Sequence, residues 1–215
     1  MWTLKLVFVY GKGTLFGNLC KKYNVTLYGY PHSYKLVKDE IECIISGKIV
    51  GSDSNIKKFL TDLEKERRCV NLEYNNGFIV TRVLQHKKMK KLFDPDIVYI
   101  KPAITNTQGE YIFEIATWDR DKLNEIIKEY QNFILKNSIK YIKKQQINHI
   151  QIVTSGSNLT DKQKHCFSLA QKNGYYEFPR KITLKNLAKI AKISYTTFQF
   201  HLRQAEKKIL SDTKY

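Results

Sequence analysis

Residues Leu159–Leu210 read LTDKQKHCFSLAQKNGYYEFPRKITLKNLAKIAKISYTTFQFHLRQAEKKIL, and their spacing predicts three helices. Thr160 followed by Gln163 is a capping-box pattern, which satisfies free amides at a helix start. Phe167 and Ala170 continue an apolar face, and Gly174 marks the stop. Thr183 caps a second helix with a short buried stripe, Leu184, Leu187 and Ala188. Ser194 caps a third, where Phe198, Leu202, Ala205 and Ile209 recur at near-helical spacing and must face inward. The other side of that helix carries Tyr195, Thr196, Gln199, Phe200 and Arg203. These side chains are long or polar, near its N-terminal half, and suited to base edges in a major groove. Two helices joined by a tight turn, the second presenting such a face, form the layout of a helix-turn-helix.

Charge points the same way. The 215-residue chain carries a formal charge of +17 and a pI near 9.6, which favours a polyanionic partner through attraction and counterion release. From Thr160 to the end there are 12 Lys/Arg against 4 Asp/Glu, a surplus of 8, so nearly half the excess lies in a quarter of the length. Arg180, Lys181, Lys185, Lys189 and Lys192 are candidates for phosphate contacts, which position a module without reading sequence. His201 points to the side of the third helix and suits either role or neither. The plain alternative for the three helices is a bundle used only for dimerisation.

The segment resembles the C-terminal helix-turn-helix of archaeal transcription regulators of the bacterio-opsin activator type. The resemblance rests on Leu159-Thr160, Gln163, Leu169-Ala170, Gly174-Tyr175-Tyr176, Pro179-Arg180, Thr183-Leu184, Leu187-Ala188, Ile193-Ser194, Leu202 and Ala205-Glu206. The tract GYYEFPRK between the first two helices is its specific part. Such regulators usually have Gly just before the Ile-Ser of the turn, where this chain has Lys192. A non-Gly residue in a left-handed turn costs roughly 1 kcal/mol. The resemblance implies a DNA-binding transcription regulator that binds double-stranded DNA.

The chain as a whole is globular in composition, with 42% hydrophobic and 13% aromatic residues. Its four cysteines, Cys20, Cys43, Cys69 and Cys166, are widely spaced and include no Cys-x-x-Cys pair. A strand pattern begins at once, Trp2–Tyr10, where a signal peptide would lie. No apolar run approaches the roughly 20 residues that span a bilayer. These features predict a cytoplasmic protein with reduced thiols and no membrane partner.

Two units of order βαββαβ follow one another. In the first, Trp2–Tyr10 is a strand, a short helix runs to Lys22, and Ser33–Val37 and Glu40–Val50 are strands. Asp53 or Ser54 then caps a helix with Ile56, Phe59, Leu60 and Leu63 inward, and Cys69–Tyr74 closes the unit. In the second, Gly77–Gln85 is a strand, His86–Phe93 a short basic helix or turn, and Asp96–Pro102 and Glu110–Trp118 a strand pair. A helix starting near Asp119–Asp121 carries Leu123, Ile126, Ile127 and Tyr130, each 67 residues beyond its counterpart. Ile139 and Tyr141 keep that offset from Leu72 and Tyr74, which argues for an internal duplication. The expected fold is therefore α+β: tandem ferredoxin-like modules over 1–75 and 76–153, a linker at 154–158, and an all-α helix-turn-helix domain over 159–215. Ile147–Val153 reads as one further strand, and Thr154–Asn158 is the most linker-like stretch. The sheet modules would serve dimerisation, effector sensing or contact with transcription machinery, by fold-level analogy. A homodimer is expected, since one helix-turn-helix covers little DNA.

Other chemistry is weakly signalled. Cys20, Cys43 and Cys69 could assemble a redox or soft-metal sensor, but Cys43 shares the alternation of Ile41 and Ile45 and reads as core. His86, His149 and His165 show no metal-ligand spacing. Gly11-Lys12-Gly13-Thr14 lacks the full phosphate-loop pattern and reads as a tight turn. No catalytic signature appears, so no enzyme and no cofactor are expected. RNA binding by the sheets is the main competitor, because RNA-recognition modules share the βαββαβ order. Asn76-Gly77-Phe78-Ile79-Val80 faintly resembles their aromatic strand motif, on the wrong strand. A non-specific nucleoid-type DNA binder is the other alternative.

Overall fold

The computed structural model describes residues 1–9, 14–131, 139–151 and 159–212. The chain divides into two compact units, 1–155 and 156–215. The first contains β1 (Trp2–Phe8), α1 (Leu15–Tyr23), β2 (Thr26–Val37), β3 (Glu40–Val50), α2 (Asp53–Lys65), β4 (Cys69–Asn75) and β5 (Phe78–His86). A 3-10 helix (Lys87–Phe93) follows, then β6 (Val98–Tyr99), β7 (Ala103–Thr105), β8 (Tyr111–Thr117), α3 (Arg120–Tyr130) and β9 (Ile139–Lys144).

All strand pairs are antiparallel, in one sheet of order β4-β5-β3-β2-β7-β8-β1-β9, with β6 paired to β8. This corrects the expectation of two self-contained modules meeting at residues 75 and 76. Asn76 (φ 50°) and Gly77 (φ 86°) are the two loop residues of a hairpin, with Asn75 opposite Phe78. Two residues of positive φ give the turn whose twist matches that of the strands, and Asn-Gly is its preferred sequence. The hairpin folds β5 back onto β4, where its other edge meets β3. Each half keeps a 4-1-3-2 strand order, but its first strand comes from the other half. β5 sits between β3 and β4, and β1 sits between β8 and β9. The halves meet at β2 and β7 through three residue pairs, Leu27–Thr105, Tyr28–Ile104 and Gly29–Ala103.

Helix faces follow the sequence more closely. Ile56, Phe59 and Leu63 of α2 and Leu123, Ile126 and Tyr130 of α3 are buried, while Leu60 and Ile127 are half-buried. The caps are also 67 residues apart: Ser52, not Asp53 or Ser54, accepts from the Asn55 amide at 3.3 Å, and Asp119 accepts from Asp121 at 2.8 Å. Leu4, Leu6 and Phe8 of β1 are fully buried, and the Phe8 ring stacks on Tyr111, Phe113 and Tyr130 at 5.4–5.5 Å.

Three strand expectations change. β2 begins at Thr26, running through Pro31 by a register shift between Pro31 and Ser33. The stretch expected as Asp96–Pro102 forms only the two residues of β6, and β7 starts after Pro102, which has no amide to donate. Residues 147–151 form no strand. The remainder of that expected strand, the linker 154–158 and residues 11–13 of the Gly-Lys-Gly turn lie outside the described residues.

Candidate nucleic-acid interface

The second unit contains α4 (Asp161–Lys172), α5 (Leu184–Ile190) and α6 (Tyr195–Asp212). Each helix starts where a side chain can accept from a free amide. Thr160 and Gln163 form the reciprocal capping box, Thr183 accepts from Asn186 at 3.3 Å, and Ser194 accepts from Thr197 at 3.1 Å. Gly174 (φ 71°) ends α4: its amide donates to the Gln171 carbonyl at 3.2 Å and that of Tyr175 to Ala170 at 3.0 Å. The same pair of bonds ends α5, with Lys192 in the glycine's place. Lys192 (φ 55°) donates to Lys189 and Ile193 to Ala188, both at 3.1 Å. This two-bond motif closes a helix and redirects the chain at once, and it makes the turn between α5 and α6 short.

Packing then fixes the orientation of α6. Phe198, Leu202 and Ala205 are at most 1% exposed, the first two clustered with Cys166, Ala170, Tyr175, Leu187 and Ala188. With that face inward, Tyr195, Thr196, Phe200 and Arg203 are exposed and Gln199 is half-buried on the α6 surface. Gln199 and Arg203 share one stripe, four residues apart. Residues 159–211 match the family model described as HTH DNA binding domain. That model is of the bacterio-opsin activator type, and the chain carries its helix-turn-helix at the C-terminal end. The match spans α4 to α6 and about a quarter of the chain. No curated protein matches the chain.

Within the HTH domain the basic residues form a second group around α5. Arg180, Lys181, Lys185, Lys189 and Lys192 are all exposed. Arg180, Lys181 and Lys185 line an open groove with Tyr175, Thr183 and Tyr195. Two of these cations are already engaged: the Arg180 guanidinium lies 4.7 Å over the Tyr175 ring, and Lys181 pairs with Glu177 at 2.6 Å. The Lys181–Glu177 pair is at the surface, where such pairs contribute little and exchange readily for a phosphate, whereas Arg180 lies over a ring that belongs to the core. Thr196 is less free than its exposure suggests, since its hydroxyl lies 3.0 Å from Ser194 Oγ. His201 is half-buried, with Nδ1 unpartnered.

Two residues that the sequence offers only as part of the resemblance, Tyr176 and Glu206, have a structural role. Tyr176, in the tract between α4 and α5, donates its hydroxyl to Glu206 Oε1 at 2.8 Å. The other oxygen of Glu206 accepts from Arg203 at 3.1 Å. Burial first, and then the Glu206 carboxylate, push the Tyr176 hydroxyl well above its ordinary value, so it stays a donor. Glu206 thus ties the α4–α5 tract to α6 and holds Arg203 against the helix surface. Arg203 and Glu206 are three residues apart, a spacing that signals helix pairs, but nothing local marks the bond to Tyr176.

All four cysteines are free thiols. Burial pushes the Cys20 and Cys43 thiols up to about 12, which suppresses thiolate chemistry. Among the described residues no group of three or more His, Cys, Asp or Glu is placed to hold a metal ion, and no helix is long and apolar enough to cross a membrane.

Proposed function

We propose that this protein is a sequence-specific, DNA-binding transcription regulator of the archaeal bacterio-opsin activator kind. It acts in the cytoplasm by binding and not by catalysis. The observation that carries the proposal is the outward face of α6 in a domain matched as DNA-binding: Phe198, Leu202 and Ala205 point inward, which leaves Gln199, Phe200 and Arg203 facing out. In this reading α6 enters the major groove, with Thr196, Gln199 and Arg203 at base edges and Tyr195 and Phe200 against thymine methyl groups. Arg180, Lys181, Lys185, Lys189 and Lys192 hold phosphates. The sheet unit provides dimerisation, effector sensing or contact with transcription machinery, and two copies bind a two-fold operator.

Selection of bound sequences from a random double-stranded DNA library tests the reading. A defined motif, with two half-sites if the protein is dimeric, is the expected result. Binding without a motif would instead indicate a nucleoid-type protein. A preference for single-stranded RNA that survives removal of the HTH domain would move the function to the sheet.

A further inference from the structure

The sheet unit contains a pocket for which DNA binding has no use. It lies at the seam between the two halves, where β2 contributes Gly29 and β7 contributes Ala103 and Thr105. The 3-10 helix closes another wall with Met89 and Phe93, and β5 adds Gln85. No charged side chain lines the pocket. The tyrosine hydroxyls nearby are already used, Tyr99 donating to the Leu92 carbonyl and Tyr111 accepting from the Gly17 amide, each at 3.0 Å. Gln85 and Thr105 differ from them. They are 6% and 5% exposed, both line the pocket, and neither side chain has a hydrogen-bond partner among the described residues. Their polar atoms are not among those sealed from solvent without a partner, which are the Tyr30 hydroxyl and His201 Nδ1, so each keeps some accessible surface to offer a ligand.

We propose that this pocket binds a small neutral molecule with an apolar body and a hydroxyl, carbonyl or amide group that bonds to Gln85 and Thr105. The proposal gives the effector-sensing role of the sheet unit a site, and rests on that reading only for its biological purpose. An ionised ligand is excluded, since no opposite charge is present to offset its desolvation. The free cavity is about 50 Å3, well below the roughly 150 Å3 that accepts a benzene ring in a rigid core. A ring-sized ligand therefore enters by displacing the Met89 side chain, which has flexible torsions and a single short 3-10 segment behind it. Its contacts would bridge β2 and β7, where the two halves share only three residue pairs.

The chain has two methionines, Met1 and Met89, so methyl-labelled methionine gives a direct NMR reporter in the full-length protein without DNA. The probes are phenol, toluene and benzoate at millimolar concentration. Phenol should shift the Met89 signal and leave Met1 in place, toluene should bind more weakly, and benzoate should do nothing. Gln85→Leu should weaken phenol about tenfold, the loss of one hydrogen bond, while leaving toluene unchanged. Thr105→Val provides a second variant of nearly the same shape, with the same direction of effect. If phenol leaves Met89 unmoved, or binds both variants as tightly as the parent, the assignment is overturned. Neither result touches the DNA-binding reading, because no DNA enters the experiment.

Discussion

Lys192 sits at φ 55° between α5 and α6, where the Cβ of any L-residue crowds the adjoining carbonyl. Lys192→Gly relieves that crowding and should stabilise the HTH domain by about 1 kcal/mol, read as a higher urea midpoint. An unchanged or lower midpoint would mean that the lysine stem offsets the backbone cost. Base reading and phosphate holding separate by residue. Gln199→Ala and Arg203→Ala should flatten the preference at particular operator positions by roughly 1–3 kcal/mol each. Arg180→Ala and Lys181→Ala should weaken all sequences alike and lower the salt slope by about one ion per charge. Titrating an operator and its single-base variants across a salt series distinguishes the two, and identical behaviour of the pairs would remove α6 from the groove. Thr160, Thr183, Ser194 and Gly174 were legible because a cap acts within a few residues of itself. The Tyr176–Glu206 bond was not, because its partners are 30 residues apart in sequence.

At the scale of elements, α2 and α3 were readable from apolar spacing, which depends only on helix periodicity. The strands were harder. Asn76-Gly77 carries a strong hairpin signal, yet the duplication made the same dipeptide look like a boundary. Gly77→Ala should cost about 1 kcal/mol, since φ 86° is unfavourable for any side chain. Thermal unfolding of that variant checks the hairpin directly. The end of the 3-10 helix carries a pH dependence. The Asp96 amide and, less strongly, Lys122 hold the Asp94 carboxyl below its ordinary 3.8, against the opposing effect of burial. A carboxyl depressed in the folded state stabilises fully above its unfolded value and loses that contribution as pH falls through the folded one. Asp94→Asn should therefore lower stability at pH 7 and flatten the acid limb below about pH 4, as read from urea midpoints over a pH series. An acid limb as steep as that of the parent would assign the effect to other carboxylates.

At the scale of the whole molecule, the sequence showed two repeats but not their exchange of first strands, because strand partners are chosen by tertiary packing and leave no local trace. The exchange makes the halves interdependent. A fragment of residues 1–75 lacks β8 and β9 for β1, and lacks β5 for β3 and β4, so it should be unfolded by circular dichroism and NMR. Residues 156–215 have their own core and should fold alone and bind DNA weakly; a folded 1–75 fragment would contradict the strand order. The exchange also sets a schedule for synthesis. β1 leaves the ribosome before the other strands of the sheet, with Leu4, Leu6 and Phe8 on its apolar face, yet Trp2 must wait for Lys144. At ordinary elongation rates that delay is on the order of ten seconds. Until residue 86 is made, the slot between β3 and β4 is empty. The native sheet therefore cannot close on the β3–β4 side until β5 is made, nor on β1 until β8 and β9 follow.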